Sequence, residues 1–153
     1  MSLIREFRLL PSIQRITIVL SLILLLISFS QPAFYVGRPD YDAWSNSLLL
    51  FLLGWMGILG GGIPSCLIWL ANPLYLISIY FIIKGKSFSV YLALAGTLLA
   101  LCFLFMNSIL TSESGQMSKI TVLKSGYILW LISISTLFIG TVLSQFKKKS
   151  SNS

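Results

Sequence analysis

Residues 45–83 read SNSLLLFLLGWMGILGGGIPSCLIWLANPLYLISIYFII, without one charged side chain. A helical span needs about 20 apolar residues, so this block is too long for one crossing and too short for three. Two full crossings would need a tight turn and would carry Lys84 and Lys86 to the outside, against the positive-inside rule. The middle of the block, GWMGILGGGIPS over residues 54–65, resolves the problem. Gly60, Gly61 and Gly62 followed by Pro64 make a poor helix interior but a good helix start, because proline suits the first turn. The sequence therefore predicts a short re-entrant or interfacial helix over about 48–59. A full span follows over 63–83, bent near Asn72 and Pro73. Irregular backbone at membrane depth persists only under a cover of protein or water, so a dipping segment would need the other helices as its shield.

Outward from this block, the rest of the chain reads as membrane too. Of its 153 residues 56% are hydrophobic and 10% charged. A soluble domain carries roughly 25% charged residues, since its surface must be wet. Long apolar runs give three further predicted spans, at about 16–36, 88–111 and 126–146. The expected fold class is all-α: an integral membrane four-helix bundle in a single polytopic domain, 1–153. Residues 1–15 form a basic lead-in that Pro11 should interrupt, and 147–153 a basic tail. The first span also resembles a signal peptide, with Ser28, Phe29 and Ser30 before Gln31. Its apolar run continues through Tyr35 and the chain returns repeatedly to the membrane, so the segment is expected to be retained. Residues 36–46 and 112–124 read as polar loops, the first flanked by interface-seeking Tyr35, Tyr41 and Trp44.

Charge sets the expected orientation. With the N-terminus inside, Arg5, Arg8, Arg15, Lys84, Lys86, Lys147, Lys148 and Lys149 are cytoplasmic, while Arg38, Lys119 and Lys124 are external. Eight cations against three place both termini on the cytoplasmic side. The net charge of +7 is thus a topology signal. A nucleic-acid binder would cluster its cations on one wet face, interleaved with aromatics, and none is expected as a partner.

Function is less legible. No Asp, Glu, Lys, Arg or His lies inside a predicted span, which argues against a carboxylate-driven proton path. No histidine is present, removing a histidine base and the commonest metal ligand. Enzymatic activity, a metal and a cofactor are not expected. Cys66 and Cys102 read as small buried apolar residues, with no CxxC motif. Asp40 and Asp42 offer two carboxylates in the external loop, too few for a calcium site. The sharper candidates are the glycine-rich break and its aromatic neighbours: Trp55, Gly60, Gly61, Gly62, Pro64, Trp69, Asn72 and Pro73. Broken helices of this kind line substrate paths in transporters, and equally serve as packed structural elements whose Asn72 would bond a freed carbonyl or a neighbouring helix. Gly96 with Ala100, and Thr136, Gly140 and Ser144, form small-residue stripes at a spacing of four. Such stripes let helix backbones approach, within the bundle or across a homodimer.

The strings GWMGILGGG and WLANPLYLI, with the later GYILWLIS over 126–133, resemble a family of small uncharacterised bacterial membrane proteins. The match departs at Ile128 and Leu129, where the family carries an aromatic. The resemblance implies a four-span bacterial inner-membrane protein and brings no activity. The expected role is non-enzymatic binding of membrane lipids or a membrane-protein partner. The alternatives are a channel or transporter subunit working through residues 54–73, and a bacteriocin immunity-type protein.

Overall fold

The computed structural model describes residues 3–37, 45–112 and 115–150, without the side chains of 148–150. Asp40 and Asp42 lie outside the described residues. The chain runs through α1 (Leu3–Leu9), α2 (Ser12–Phe29), β1 (Phe34–Val36), α3 (Ser47–Leu53), α4 (Ile63–Trp69), α5 (Ala71–Ile83), α6 (Ser89–Cys102), β2 (Ser108–Leu110), β3 (Met117–Leu123) and α7 (Ser125–Ser150). Two 3-10 segments, Gly54–Gly60 and Phe103–Phe105, prolong α3 and α6.

Among the described residues, three helical stretches are long and apolar enough to cross a membrane: Ser12–Phe29, Ile63–Ile83 and Ser125–Lys147. The stretch Ser89–Phe105 is shorter. Two of the expected spans are thereby corrected. The run 16–36 is helical only to Phe29 and then turns extended. The run 88–111 leaves the helix after Phe105 and enters β2. Both corrections have one cause: hydropathy measures how apolar a run is, and Phe34–Val36 and Ser108–Leu110 are apolar because they pack inside a sheet. The polar loop expected at 112–124 supplies the centre of that sheet, so the fold is not purely α-helical.

The strand order is β1-β3-β2, antiparallel throughout. Phe34 pairs with Leu123 and Val36 with Ile120 across a bulge, while Ser108 pairs with Lys119. β1 continues α2, β2 continues α6 and β3 leads into α7, so one sheet ties three helix ends together. The same end is laced by Ala33 N–H to Ser45 O (2.8 Å), Lys124 N–H to Ala33 O (2.8 Å) and Gly126 N–H to Pro32 O (2.9 Å).

Below this sheet end, α2 runs antiparallel to α7, and α6 antiparallel to both α5 and α7; the α2–α7 contact is the most extensive. Its centre is a closed set of hydroxyls. Ser133 Oγ donates to Ser21 O (2.8 Å) and Ser21 Oγ donates to Ser133 O (3.0 Å). Ser21 Oγ has one proton, already engaged, so the 2.6 Å contact with Tyr75 OH must be a bond donated by the tyrosine. All three side chains are buried. These bonds tie α2 to both α5 and α7.

The small-residue stripes face inward. Gly96 lies against Ala71 O and Leu74 of α5, and Ala100 O accepts from Tyr127 OH (2.9 Å). Gly140 meets Thr17 of α2, and Ser144 is buried beside it, while Thr136 is half-buried. These faces are engaged within the chain. Cys66 is half-buried and Cys102 exposed, both free thiols. The small buried role expected of Cys102 is therefore not the one it has.

The opposite, lysine end gathers α1, the α5–α6 turn and the last turns of α7. Pro11 separates α1 from α2, as expected, since proline has no N–H to continue a helix. Glu6 ties α1 to the end of α5, with Lys84 Nζ 3.0 Å from Oε1 and 2.8 Å from Oε2. The hydrogen bond to Glu6 raises the Lys84 ammonium above its ordinary pKa, holding its charge.

Candidate functional site

The glycine-rich break is a turn between two helices that fold back on each other. Asn46 caps α3 by accepting from Leu49 N–H (3.0 Å), and the chain tightens to 3-10 over Gly54–Gly60. Gly61 has φ +86°, a left-handed conformation that side chains with a Cβ resist. Gly62 N–H then donates to Gly57 O (2.8 Å), and a Cβ on Gly62 would stand 2.9 Å from that oxygen. Pro64 sits in the first turn of α4. The tight packing lies at Gly60 and Gly62, against Leu110 and Gly57, whereas Gly61 has open space around it. Strain at Gly61 therefore comes from φ alone. Gly61→Ala should cost about 1–2 kcal/mol, and Gly61→Asn less, because asparagine tolerates this region. Thermal unfolding in detergent compares them, and equal losses would remove the backbone argument.

The fold-back brings α3 onto α4. Trp69 Nε1 donates to Phe51 O (2.8 Å), and its ring lies where a Cβ on Gly54 would stand, 2.6 Å from Cδ1. Four residues later, Pro73 offers no N–H to the carbonyl of Trp69, and the helix turns at Leu70 between α4 and α5. Asn72, 5% exposed, accepts from Trp130 Nε1 of α7 (2.8 Å). It bonds a neighbouring helix, one of the two partners expected for it.

These contacts line a partly open apolar cavity of about 140 Å³ beneath the sheet. Phe29 and Phe51 meet edge to face at 5.0 Å on one side. On the other, Phe34, Phe103, Tyr127 and Trp130 follow each other at ring distances of 5.1, 5.1 and 5.8 Å. Ile68, Trp69 and Ile109 complete the wall. Most lining donors are already engaged: Ser28 Oγ with Leu25 O, Ser47 Oγ with Gln31 O, Tyr127 OH with Ala100 O, and both indole N–H groups as above. Ser65 lines the cavity with a hydroxyl that has no hydrogen bond among the described residues. The cavity therefore offers hydrocarbon and ring faces plus one hydroxyl.

Of the sequence candidates, Trp69 lines this cavity directly and Asn72 holds Trp130 on its wall. Gly60, Gly61 and Gly62 form the turn beside Leu110, Pro73 bends the helix below, and Pro64 and Trp55 are exposed and outside the lining of this cavity. Sequence reading missed Phe29, Phe34, Phe51, Phe103, Tyr127 and Trp130. They come from five separate stretches of chain, and only the pairing of β1 and β2 with β3 between them draws Phe34 to Phe103. The aromatic spacing Tyr127–Trp130, one helical turn, was the one local signal available.

Compared with known proteins, the chain matches no family model, no curated protein and no solved structure at a significant level.

Proposed function

We propose that this chain is a four-span bacterial inner-membrane protein with cytoplasmic termini that acts without catalysis, holding an apolar guest beneath its sheet. The guest is the end of a lipid acyl chain or an apolar side chain of a membrane-protein partner. The supporting observation is the cavity lining, whose hydrogen-bonding groups are engaged internally except Ser65. Apolar cavities of about 150 Å³ stay dry and admit benzene-sized guests. The resemblance of GWMGILGGG and WLANPLYLI to small bacterial membrane proteins supports the same setting.

Ser89–Phe105 serves as the fourth crossing in this reading. At about 1.5 Å per α-helical residue and about 2 Å per 3-10 residue it covers roughly 27 Å, close to a bilayer core of about 30 Å. The cations support the orientation, with Lys84, Lys86 and Lys147 at one end and Lys119 and Lys124 at the other. A cysteine placed at Gly85 in a Cys66- and Cys102-free chain should resist an impermeant external maleimide, while one at Lys119 should react. Reaction at position 85 in intact cells would overturn the topology.

Ser65→Leu tests the guest. It fills the cavity without removing a hydrogen bond, and cavity filling commonly adds about 0.5–2 kcal/mol. The variant should be as stable as the parent or more so. It should also lose most photocrosslinking of diazirine-bearing acyl chains, or of a co-purifying protein, to the cavity wall. Undiminished crosslinking in a folded Ser65→Leu protein would exclude the cavity as the binding place.

A further inference from the structure

A second, larger cleft of about 750 Å³ opens at the lysine end, between the α1–α2 junction, the α5–α6 turn and the last turns of α7. Its polar wall carries Lys86 and Lys147 with Gln14, Ser87, Ser144 and Gln145. Gln145 Nε2 donates to Ser87 O (3.1 Å), fixing α7 to the turn that presents Lys86. Glu6 is the single carboxylate among the described residues, and it is paired with Lys84. Lys86 and Lys147 therefore face the cleft with no carboxylate among the described residues to balance them. The neighbouring hydroxyls of Ser89 and Thr141 donate to Lys86 O and Leu137 O. Ser144 differs. It is 6% exposed, lines the cleft, and has no hydrogen bond among the described residues. Its hydroxyl is therefore open to the cleft and free to donate to a bound acceptor.

Two unbalanced ammonium groups and a free hydroxyl donor, converging on one cleft, suit an anion with several acceptor oxygens. We propose that this cleft binds a phosphate group, with Lys86 and Lys147 as counter-charges and Ser144 Oγ as donor. The opposite wall is apolar, formed by Leu10, Ile13 and Ile82. A phospholipid places hydrocarbon beside its phosphate and satisfies both walls, whereas free phosphate satisfies one. Basic pockets between helices on the cytoplasmic side are known to take anionic headgroups. The start of α6 borders the same cleft through Ser87 and Ser89, and its dipole adds to the attraction.

Native mass spectrometry of the full chain in a neutral detergent, titrated separately with phosphatidylglycerol, phosphatidylcholine and inorganic phosphate, tests this. Phosphatidylglycerol should bind most tightly. Lys86→Gln/Lys147→Gln should weaken it about 30-fold, and Lys86→Arg/Lys147→Arg should retain it. Ser144→Ala should weaken it about fivefold. Tight binding of inorganic phosphate that competes with phosphatidylglycerol would keep the site and assign it to a soluble phosphate. Binding of phosphatidylglycerol no tighter than phosphatidylcholine, with no phosphate binding, would overturn the proposal. So would equal retention by the parent and the glutamine double variant, both of which should fold because the two lysines are exposed.

Discussion

Gly126→Ala is expected to destabilise the protein by about 2–3 kcal/mol, the range of core overpacking, although alanine favours helix over glycine by about 1 kcal/mol. The steric term wins because of what surrounds the site. A Cβ at 126 would stand 2.6 Å from Gln31 O and 2.7 Å from Pro32 O, and would also strike Ser47 Oγ. A side-chain hydroxyl can rotate away; two backbone carbonyls of the α2–β1 connection cannot. Relief requires the start of α7 to lift from residues 31–32, breaking the Gly126 N–H bond to Pro32 O and shifting β3 against β1. Steric-trapping or thermal unfolding in micelles measures the loss. An alanine variant as stable as the parent would show that α7 is not seated on that connection.

The second large effect is expected at Trp130. Its indole packs beside Tyr127, lines the sheet-end cavity and donates to Asn72. Trp130→Ala should cost about 3 kcal/mol, the low end for aromatic truncation because the ring is only half-buried. It should also strip the buried Asn72 carbonyl of its donor. Trp130→Phe keeps most of the packing but leaves the same unsatisfied amide, at about 1–3 kcal/mol. Adding Asn72→Leu to Trp130→Phe should return part of that loss, since replacing both partners of a buried bond removes the penalty. Strict additivity of the two substitutions would mean that the 2.8 Å bond is not coupled energetically.

The contrast between Asn72 and Phe34 shows what the chain discloses on inspection. Residues 45–83 divide where glycines and a proline say they should, because those residues act through local backbone geometry. The bend near Pro73 follows from one missing N–H, and Asn72 had to find a partner because an apolar setting penalises a free amide. Ser30, Gln31 and Pro32 mark a local end to the helix, which the apolar count over 16–36 ran past, but nothing nearby says that Phe34, Tyr35 and Val36 then form a strand. What decides it is β3, some eighty residues later. Within β3 itself, Ser118 and Ile120 are half-buried while Met117, Lys119 and Thr121 are exposed, an alternation that the polar composition concealed. The cavity was illegible for the same reason: Trp69 stood out in its own string, but Phe103 and Phe34 gain meaning only when the strands meet.

The sheet and the α2–α7 contact also carry a consequence for the order of biosynthesis. Ser21 and Ser133 are 112 residues apart in sequence, and β1 must wait for β3 to be made before either has its partner. The earlier-made α2 is therefore bonded chiefly to the much later α7. Until residues 117–133 are made, Ser21 stands without Ser133 and β1 without its strand partner. Making β3 and α7 then closes both contacts together, in one late step that joins segments far apart in sequence.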